Sequence, residues 1–99
     1  MMERIMATYQ IVYWQEIPSL VDARDENGAH KEQLSQAFQA LIDHAAMIRK
    51  LAGTDAYLDQ WNKGKAETRP GSAKDVAKQV AAEFESRFTE IRNQVVNKE

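Results

Sequence analysis

Residues 7–16 alternate between two faces, as the side chains of a β-strand do. Most of them are β-branched or aromatic, types that fit a pleated surface. One face carries Tyr9, Ile11 and Tyr13, and the other carries Thr8, Gln10, Val12 and Trp14. Because both faces are partly apolar, we expect this strand to lie in the centre of a sheet.

Pro18 and Ser19 interrupt this pattern, since proline cannot donate a hydrogen bond to a neighbouring strand. Residues 20–26 predict a second, shorter strand in which most positions are polar. Charged side chains protect an exposed strand from pairing with other chains, so we place this one at the sheet edge. Asn27-Gly28 is a strong turn signal that follows it.

From Lys31 to Ala52 the apolar side chains recur every three or four positions, the period of an amphipathic helix. This stripe consists of Leu34, Phe38, Leu41, Ala45, Ile48 and Ala52. Gly53 supplies the expected C-terminal stop. Residues 55–62 then predict a third strand. Residues 63–71 contain two glycines and one proline and predict the least ordered internal segment.

Ser72 is a suitable N-cap, and Asp75 completes a capping-box-like start three residues later. A second helix should therefore begin here and run to about Val96. Its apolar face consists of Val76, Val80, Phe84, Phe88, Ile91 and Val95.

Together these elements predict an α+β fold in the order β-β-α-β-α. Two amphipathic helices would pack on one face of a small three-stranded sheet and form a two-layer sandwich. The third strand would lie parallel to the first, through a right-handed crossover that contains the long helix. We expect residues 1–99 to form a single domain with an ordered core of about residues 7–96.

The composition narrows the range of functions. The chain has no cysteine, which excludes disulfides, thiolate chemistry and cysteine-ligated zinc by this chain alone. A net charge of −2 and a pI of about 5.7 argue against a typical nucleic-acid binder. The apolar run from Ile11 to Trp14 is too short for a signal peptide or a membrane span. We therefore expect a cytoplasmic protein with no membrane association.

No segment matches a catalytic, cofactor-binding or metal-binding motif, so we expect none of these sites. His30 and His44 are far apart in the sequence, and His44 follows Asp43 directly. Adjacent helical residues do not face one another, so we interpret both histidines as structural. The acidic cluster of Asp22, Asp25 and Glu26 lacks the spacing of a calcium loop and is typical of a solvated strand or loop.

All tyrosines and tryptophans fall in the predicted strands. They are Tyr9, Tyr13, Trp14, Tyr57 and Trp61. Two helices cover only one face of a sheet, so some of these side chains would remain on the open face. Tyrosine and tryptophan are enriched at interfaces. We hypothesise that they form a surface for a protein partner or for a second copy of the chain, the alternative being that they pack into the core.

Three segments resemble a small bacterial domain family known as virulence factor. They are Tyr13-Trp14 followed by Ile17-Pro18, the helical residues 42–47, and residues 54–61. The resemblance extends from about residue 7 to about residue 90. It implies that related domains are parts of larger conserved virulence-factor proteins. It also implies that stand-alone members accompany corrinoid- or folate-linked methyl-transfer enzymes, and it supplies no active-site residue.

The sequence therefore favours a non-catalytic accessory or protein-interaction domain, a subunit or regulator of such an enzyme. Two alternatives stay open. One is a small enzyme or ligand-binding domain that would use Asp43, His44, Asp55 and Asp59. The other is a weak binder of single-stranded nucleic acid, because Lys63, Lys65 and Arg69 follow Trp61 in a segment that could equally be an ordinary soluble loop.

Overall fold

The computed structural model describes residues 5–97. Within this range the chain forms five strands and four helices. They are β1 (Met6–Trp14), β2 (Ile17–Asp25), β3 (Gly28–Gln33), α1 (Gln36–Ile48), α2 (Asp55–Asp59), β4 (Trp61–Lys63), β5 (Glu67–Pro70), α3 (Ala73–Ser86) and α4 (Phe88–Val96). The predicted α+β class is confirmed, but the order of elements is richer than β-β-α-β-α.

The sheet is antiparallel throughout. Strand β2 lies between β3 and β1, and the other edge of β1 is shared by β4 and β5. β4 pairs with the C-terminal end of β1, and β5 pairs with its N-terminal end. The expected central position of the first strand is therefore correct, whereas the expected parallel neighbour is wrong.

The second strand is longer than predicted and is internal rather than at an edge. Val12 pairs with Leu20 and Tyr13 pairs with Pro18, so Ser19 is an extra residue in β2. Such a bulge accommodates Pro18, which has no N–H to give to the ladder. Residues 28–33 form the polar edge strand β3, although the predicted first helix had included residues 31–33.

Helix α3 covers one face of β1, β2 and β3. Its small and β-branched side chains let it approach the sheet closely. The buried members are Ala73, Val76, Ala77, Val80 and Ala81. They pack with Tyr9, Ile11, Val21 and Ala23 of β1 and β2 in one core cluster. The N-terminus of α3 begins as predicted, since the Ser72 side chain accepts a hydrogen bond of 3.1 Å from the Asp75 N–H.

The predicted second helix is in fact two helices separated at Arg87. Helix α4 turns away to pack against α1, where the rings of Phe38 and Phe88 meet edge to face with centroids 5.0 Å apart. Helix α1 is shorter than predicted at both ends. It stops at Ile48, because Lys50 adopts a left-handed conformation and the Leu51 N–H donates to the Ala46 carbonyl.

The strand predicted over residues 55–62 is wrong for all but its last two residues. Thr54 caps the short helix α2, and β4 begins only at Trp61. The segment predicted to be least ordered contains β5. Gly64 joins β4 to β5 beside Tyr13, where a Cβ atom would lie 2.9 Å from the tyrosine ring. Glycine thus marks a close approach of the backbone rather than a loose loop.

Candidate functional site

The face of the sheet opposite α3 is uncovered over most of its length. Residues directly opposite in an antiparallel pair point to the same side, so the register defines this surface. We call it the uncovered face. It consists of Met6, Thr8, Gln10 and Val12 of β1, Leu20, Asp22 and Arg24 of β2, Ala29, Lys31 and Gln33 of β3, Lys63 of β4, and Thr68 and Pro70 of β5.

Asp22 lies near the centre of the uncovered face, between Gln10 and Lys31 on the flanking strands. Its side chain is only 6% exposed. One carboxylate oxygen, Oδ2, accepts a hydrogen bond from the Lys63 Nζ at 3.3 Å. The other oxygen, Oδ1, is buried and has no hydrogen-bond partner among residues 5–97. A buried polar atom without a partner is rare in native proteins and calls for an explanation.

Three cations surround this carboxylate. Arg24 and Lys31 are exposed, and neither forms an ion pair within the part of the chain that the structure describes. Lys63 is half exposed. Asp22 is the one carboxylate among the strand positions of the uncovered face between residues 5 and 97. The face is therefore locally basic, although the whole chain has a net charge of −2.

An aromatic cluster closes one end of the uncovered face. Trp14 and Trp61 are cross-strand partners on this side of the sheet. Trp14 is fully buried, and its Nε1 donates a hydrogen bond of 3.0 Å to the Tyr57 carbonyl. The Tyr57 ring lies 5.4 Å from that of Trp14 and 6.3 Å, edge to face, from that of Trp61. Helix α2 therefore covers the Trp14 end, so helices do not lie on one face alone.

The five aromatic side chains singled out in the sequence are divided between the two sides of the sheet. Tyr9 and Tyr13 lie on the α3 side, and Tyr57 lies in α2 rather than in a strand. Tyr9 and Trp14 are core residues. Tyr13, Tyr57 and Trp61 are half-buried against the core and keep some exposed area. Their role in binding a partner stays a prediction.

On the α3 side the charged groups are paired with one another. The Arg69 guanidinium donates two hydrogen bonds to the Glu83 carboxylate, at 2.6 and 2.8 Å, and lies 5.4 Å from the centre of the Tyr9 ring. The Glu83 hydrogen bonds raise the pKa of Arg69, and the same contact lowers the pKa of Glu83. Burial, followed by the hydrogen bond that the Tyr9 hydroxyl donates to Glu67, raises the pKa of Tyr9.

A cleft of about 140 Å³ lies among these groups. It is smaller than the several hundred cubic ångströms typical of ligand pockets. Arg69 and Glu83, which line this cleft, form an ion pair with one another. This ion pair links α3 to the edge strand β5.

The basic segment after Trp61 is not gathered into one patch. Lys63 pairs with Asp22 on the uncovered face, whereas Arg69 pairs with Glu83 on the α3 side. Lys65 is exposed between β4 and β5. The sheet therefore separates two of the three cations that the sequence placed together.

The four polar residues proposed for a ligand site are all exposed, and they are divided between two helices. Asp43 and His44 lie on α1, and Asp55 and Asp59 lie on α2. Asp43 accepts a hydrogen bond from Gln39 on α1, while Asp55 and Asp59 lie at the two ends of α2. His44 lines an apolar groove between α1 and α4. His30 lies 2.9 Å from Glu32, and their contact lowers the pKa of that carboxyl group. Across residues 5–97, no three histidine or acidic side chains group together in a way that could hold a metal ion.

The groove between α1 and α4 has a volume of about 410 Å³. Nearby helices carry the most exposed aliphatic side chains, Met47 at 69% and Leu58 at 65%, together with the less exposed Ile48 and Val96. These exposed aliphatic side chains belong to α1, α2 and α4. Between residues 5 and 97 no helix has both the length and the apolar character needed to cross a membrane.

The fold and surface define a small α+β domain with one sheet face left uncovered. The chain matches the model of the family described as virulence factor over residues 12–96, which is most of its length. It belongs to that family. Neither a curated protein nor a solved structure matches the chain.

Sequence reasoning expected an open sheet face but placed tyrosines and tryptophans on it, and it missed the charged residues that form it. The acidic cluster was interpreted as one solvated segment, but its members point in different directions. Asp22 lies on the uncovered face, whereas the Asp25 carboxylate accepts a hydrogen bond of 2.7 Å from the Ala73 N–H at the start of α3. Residues 20–24 contain the signal, since alternation places Leu20, Asp22 and Arg24 on one side.

Proposed function

We propose that this chain is a non-catalytic accessory domain that binds another protein through the uncovered face. The observation that carries the proposal is Asp22, a buried carboxylate with one unpartnered oxygen on a face that helix α3 does not cover. Leaving such an oxygen without a donor costs about 1–3 kcal/mol. Because Oδ1 is buried beneath neighbouring side chains, a partner that displaces them and supplies a donor removes this cost, and removing it gives the complex part of its free energy of binding.

The arrangement of the sheet also supports this function. The half-buried aliphatic side chains of Val12 and Leu20 pair with one another, with Gln10 and Gln33 as polar neighbours. Apolar side chains flanked by polar ones are typical of a protein interface. The resemblance to the virulence factor family adds the kind of partner: an enzyme of corrinoid- or folate-linked methyl transfer, which this domain would hold or regulate.

Site-specific photo-crosslinking tests the proposal. A benzophenone amino acid at position 31 lies on the uncovered face, and the same residue at position 78 lies on the opposite side, where Lys78 is exposed near Glu32. In cells of the source organism, we expect the position 31 variant to crosslink to one protein, and excess unlabelled chain to suppress the product. Equal crosslinking from both positions, or none from position 31, would contradict the proposal.

Self-association is a second candidate, favoured by the exposure of Met47, Ile48, Leu58 and Val96. Contiguous exposed apolar surface marks interaction sites in soluble proteins. If two copies pack through these side chains, sedimentation velocity will show a dimer at high concentration that Ile48→Glu dissociates. Lys50→Glu, two residues away and exposed, is the matched control. A monomer at all concentrations contradicts this candidate and leaves the first untouched.

A further inference from the structure

We infer that the partner presents an acidic, extended polypeptide segment to the uncovered face. This inference rests on the proposed function and adds the chemistry of the partner. Arg24 and Lys31 have no ion-pair partner within residues 5–97. Lys63 forms an ion pair with Asp22, whose carboxylate is the one acidic group among the strand positions of this face between residues 5 and 97. An acidic surface is complementary to this face, and charge complementarity sets both the choice of partner and the rate of encounter.

The spacing of the cations fits an extended chain. Lys31 on β3 lies directly opposite Asp22 on β2, and the Lys63 Nζ extends from β4 to the Asp22 Oδ2 at 3.3 Å. The cations therefore converge around Asp22 across neighbouring strands, which lie about 5 Å apart. A short extended segment, in which alternate side chains share one face, presents two carboxylates to such a cluster.

Asp22 distinguishes a polypeptide from a nucleic acid. Its Oδ1 has no hydrogen-bond donor within residues 5–97 and is reached when the side chains over it are displaced. A polypeptide carries a donor at every backbone N–H except at proline, whereas a phosphate backbone carries only acceptors and would repel the carboxylate. Trp61 at the end of this face is half-buried, and the strand positions from Met6 to Val12 add no aromatic ring, whereas stacking of successive bases uses several rings.

The same charges argue against a second copy of this chain. A two-fold contact between two uncovered faces would bring together two surfaces that each carry Arg24, Lys31 and Lys63 against one carboxylate, that of Asp22. Like charges directly opposed across an interface are unfavourable. A self-complementary contact through this surface is therefore disfavoured, and the partner is a different, acidic protein.

Nuclear magnetic resonance of the ¹⁵N-labelled full chain tests the inference with a defined probe, a peptide of ten α-linked glutamates at low salt. We expect the largest amide shifts in β1, β2 and β3 at positions on the uncovered face. Arg24→Glu combined with Lys31→Glu should weaken binding at least tenfold, because the cations are reversed. Lys74→Glu combined with Lys78→Glu makes the same change of charge on α3 and should alter binding less than twofold.

Circular dichroism of both double variants keeps the comparison valid by showing that each remains folded. Shifts confined to the helices, or equal weakening by both double variants, would overturn the inference. A ten-residue deoxythymidine oligonucleotide that binds the same face as tightly as the glutamate peptide would also overturn it. If the peptide does not bind but position 31 still crosslinks to a protein, the acidic partner is wrong and the proposed function stands.

Discussion

The two faces of the sheet are built from alternate residues of the same strands, yet they treat charge in opposite ways. On the α3 side, Arg69 is paired with Glu83, and Lys78 lies 4.0 Å from Glu32. On the uncovered face, Arg24 and Lys31 have no such partners within residues 5–97, and Asp22 leaves one oxygen unpaired. These charges on the α3 side are paired with one another. The uncovered face keeps two cations and one carboxylate oxygen that have no partners among residues 5–97.

This difference separates two roles that a small domain must combine. The α3 side and the aromatic end hold the fold together through burial of core side chains such as Ile11, Val21 and Trp14. The uncovered face contributes little to that core. The exposed charges of Arg24 and Lys31 stay solvated, so they cost little stability and are available for recognition, whereas buried Asp22 carries a cost.

Substitutions in the aromatic cluster of Trp14, Tyr57 and Trp61 should lower the free energy of unfolding most. At this end of the sheet, α2 buries side chains on the side that is otherwise uncovered. Trp14→Ala removes a fully buried ring and its hydrogen bond to the Tyr57 carbonyl. We expect a loss of about 3–5 kcal/mol in the free energy of unfolding, measured by urea denaturation. A loss below about 1 kcal/mol would mean that α2 does not cover this end in solution.

Apolar substitution of Asp22 should have the opposite effect and raise the free energy of unfolding, because its buried, unpartnered oxygen destabilises the fold. We expect Asp22→Leu to raise the free energy of unfolding by about 1–2 kcal/mol, since it removes a buried atom with no partner. Asp22→Asn is the control, because it keeps a polar group in the same position and should give no comparable gain. A destabilised leucine variant would show that the ion pair with Lys63 outweighs the unpartnered oxygen.

The attachment of α3 should weaken in acid. Hydrogen bonds from Arg69 lower the pKa of Glu83, so its contribution is complete above the ordinary glutamate pKa, about 4.3, and is lost as the pH falls through the lowered value. We expect Glu83→Gln to flatten the fall in stability between pH 5 and pH 3. Because the pair is partly exposed, the effect should be below about 1 kcal/mol.

Arg69→Ala should flatten that pH profile in the same way, and combining it with Glu83→Gln should add nothing further. Urea midpoints measured across the pH range provide the comparison. Independent, additive effects of the two substitutions would show that the pair seen at 2.6 Å is not what couples stability to pH.

The sequence predicted the fold class, the first strand and the capped start of α3, because strong local signals mark them. Alternation defines β1, and the cap of Ser72 with Asp75 is local chemistry. It misplaced β3 and β4, whose few residues carry weak or mixed patterns. These segments become strands because β3 pairs with β2 and β4 pairs with β1. Such long-range pairing overrides local propensity.

The candidate site was less predictable than the fold. Alternation along β2 places Asp22 and Asp25 on opposite sides of the sheet, but the packing of α3 decides which side is covered, and residue types alone do not show that packing. The family resemblance indicated an accessory domain without assigning residues. The basic character of the uncovered face becomes apparent only when Arg24, Lys31 and Lys63, from three different strands, are brought together.

The most direct test of the uncovered face as the partner-binding surface is the rate at which lysine amines are modified. Lys31 lies on that face and Lys78 on the opposite side, and both are exposed in the isolated chain. A membrane-permeant acylating reagent, with mass spectrometry, gives the ratio of the two rates in cells of the source organism and in purified protein. The account predicts that Lys31 is protected at least fivefold in cells while Lys78 is unchanged. Equal rates at Lys31 in both settings would contradict it.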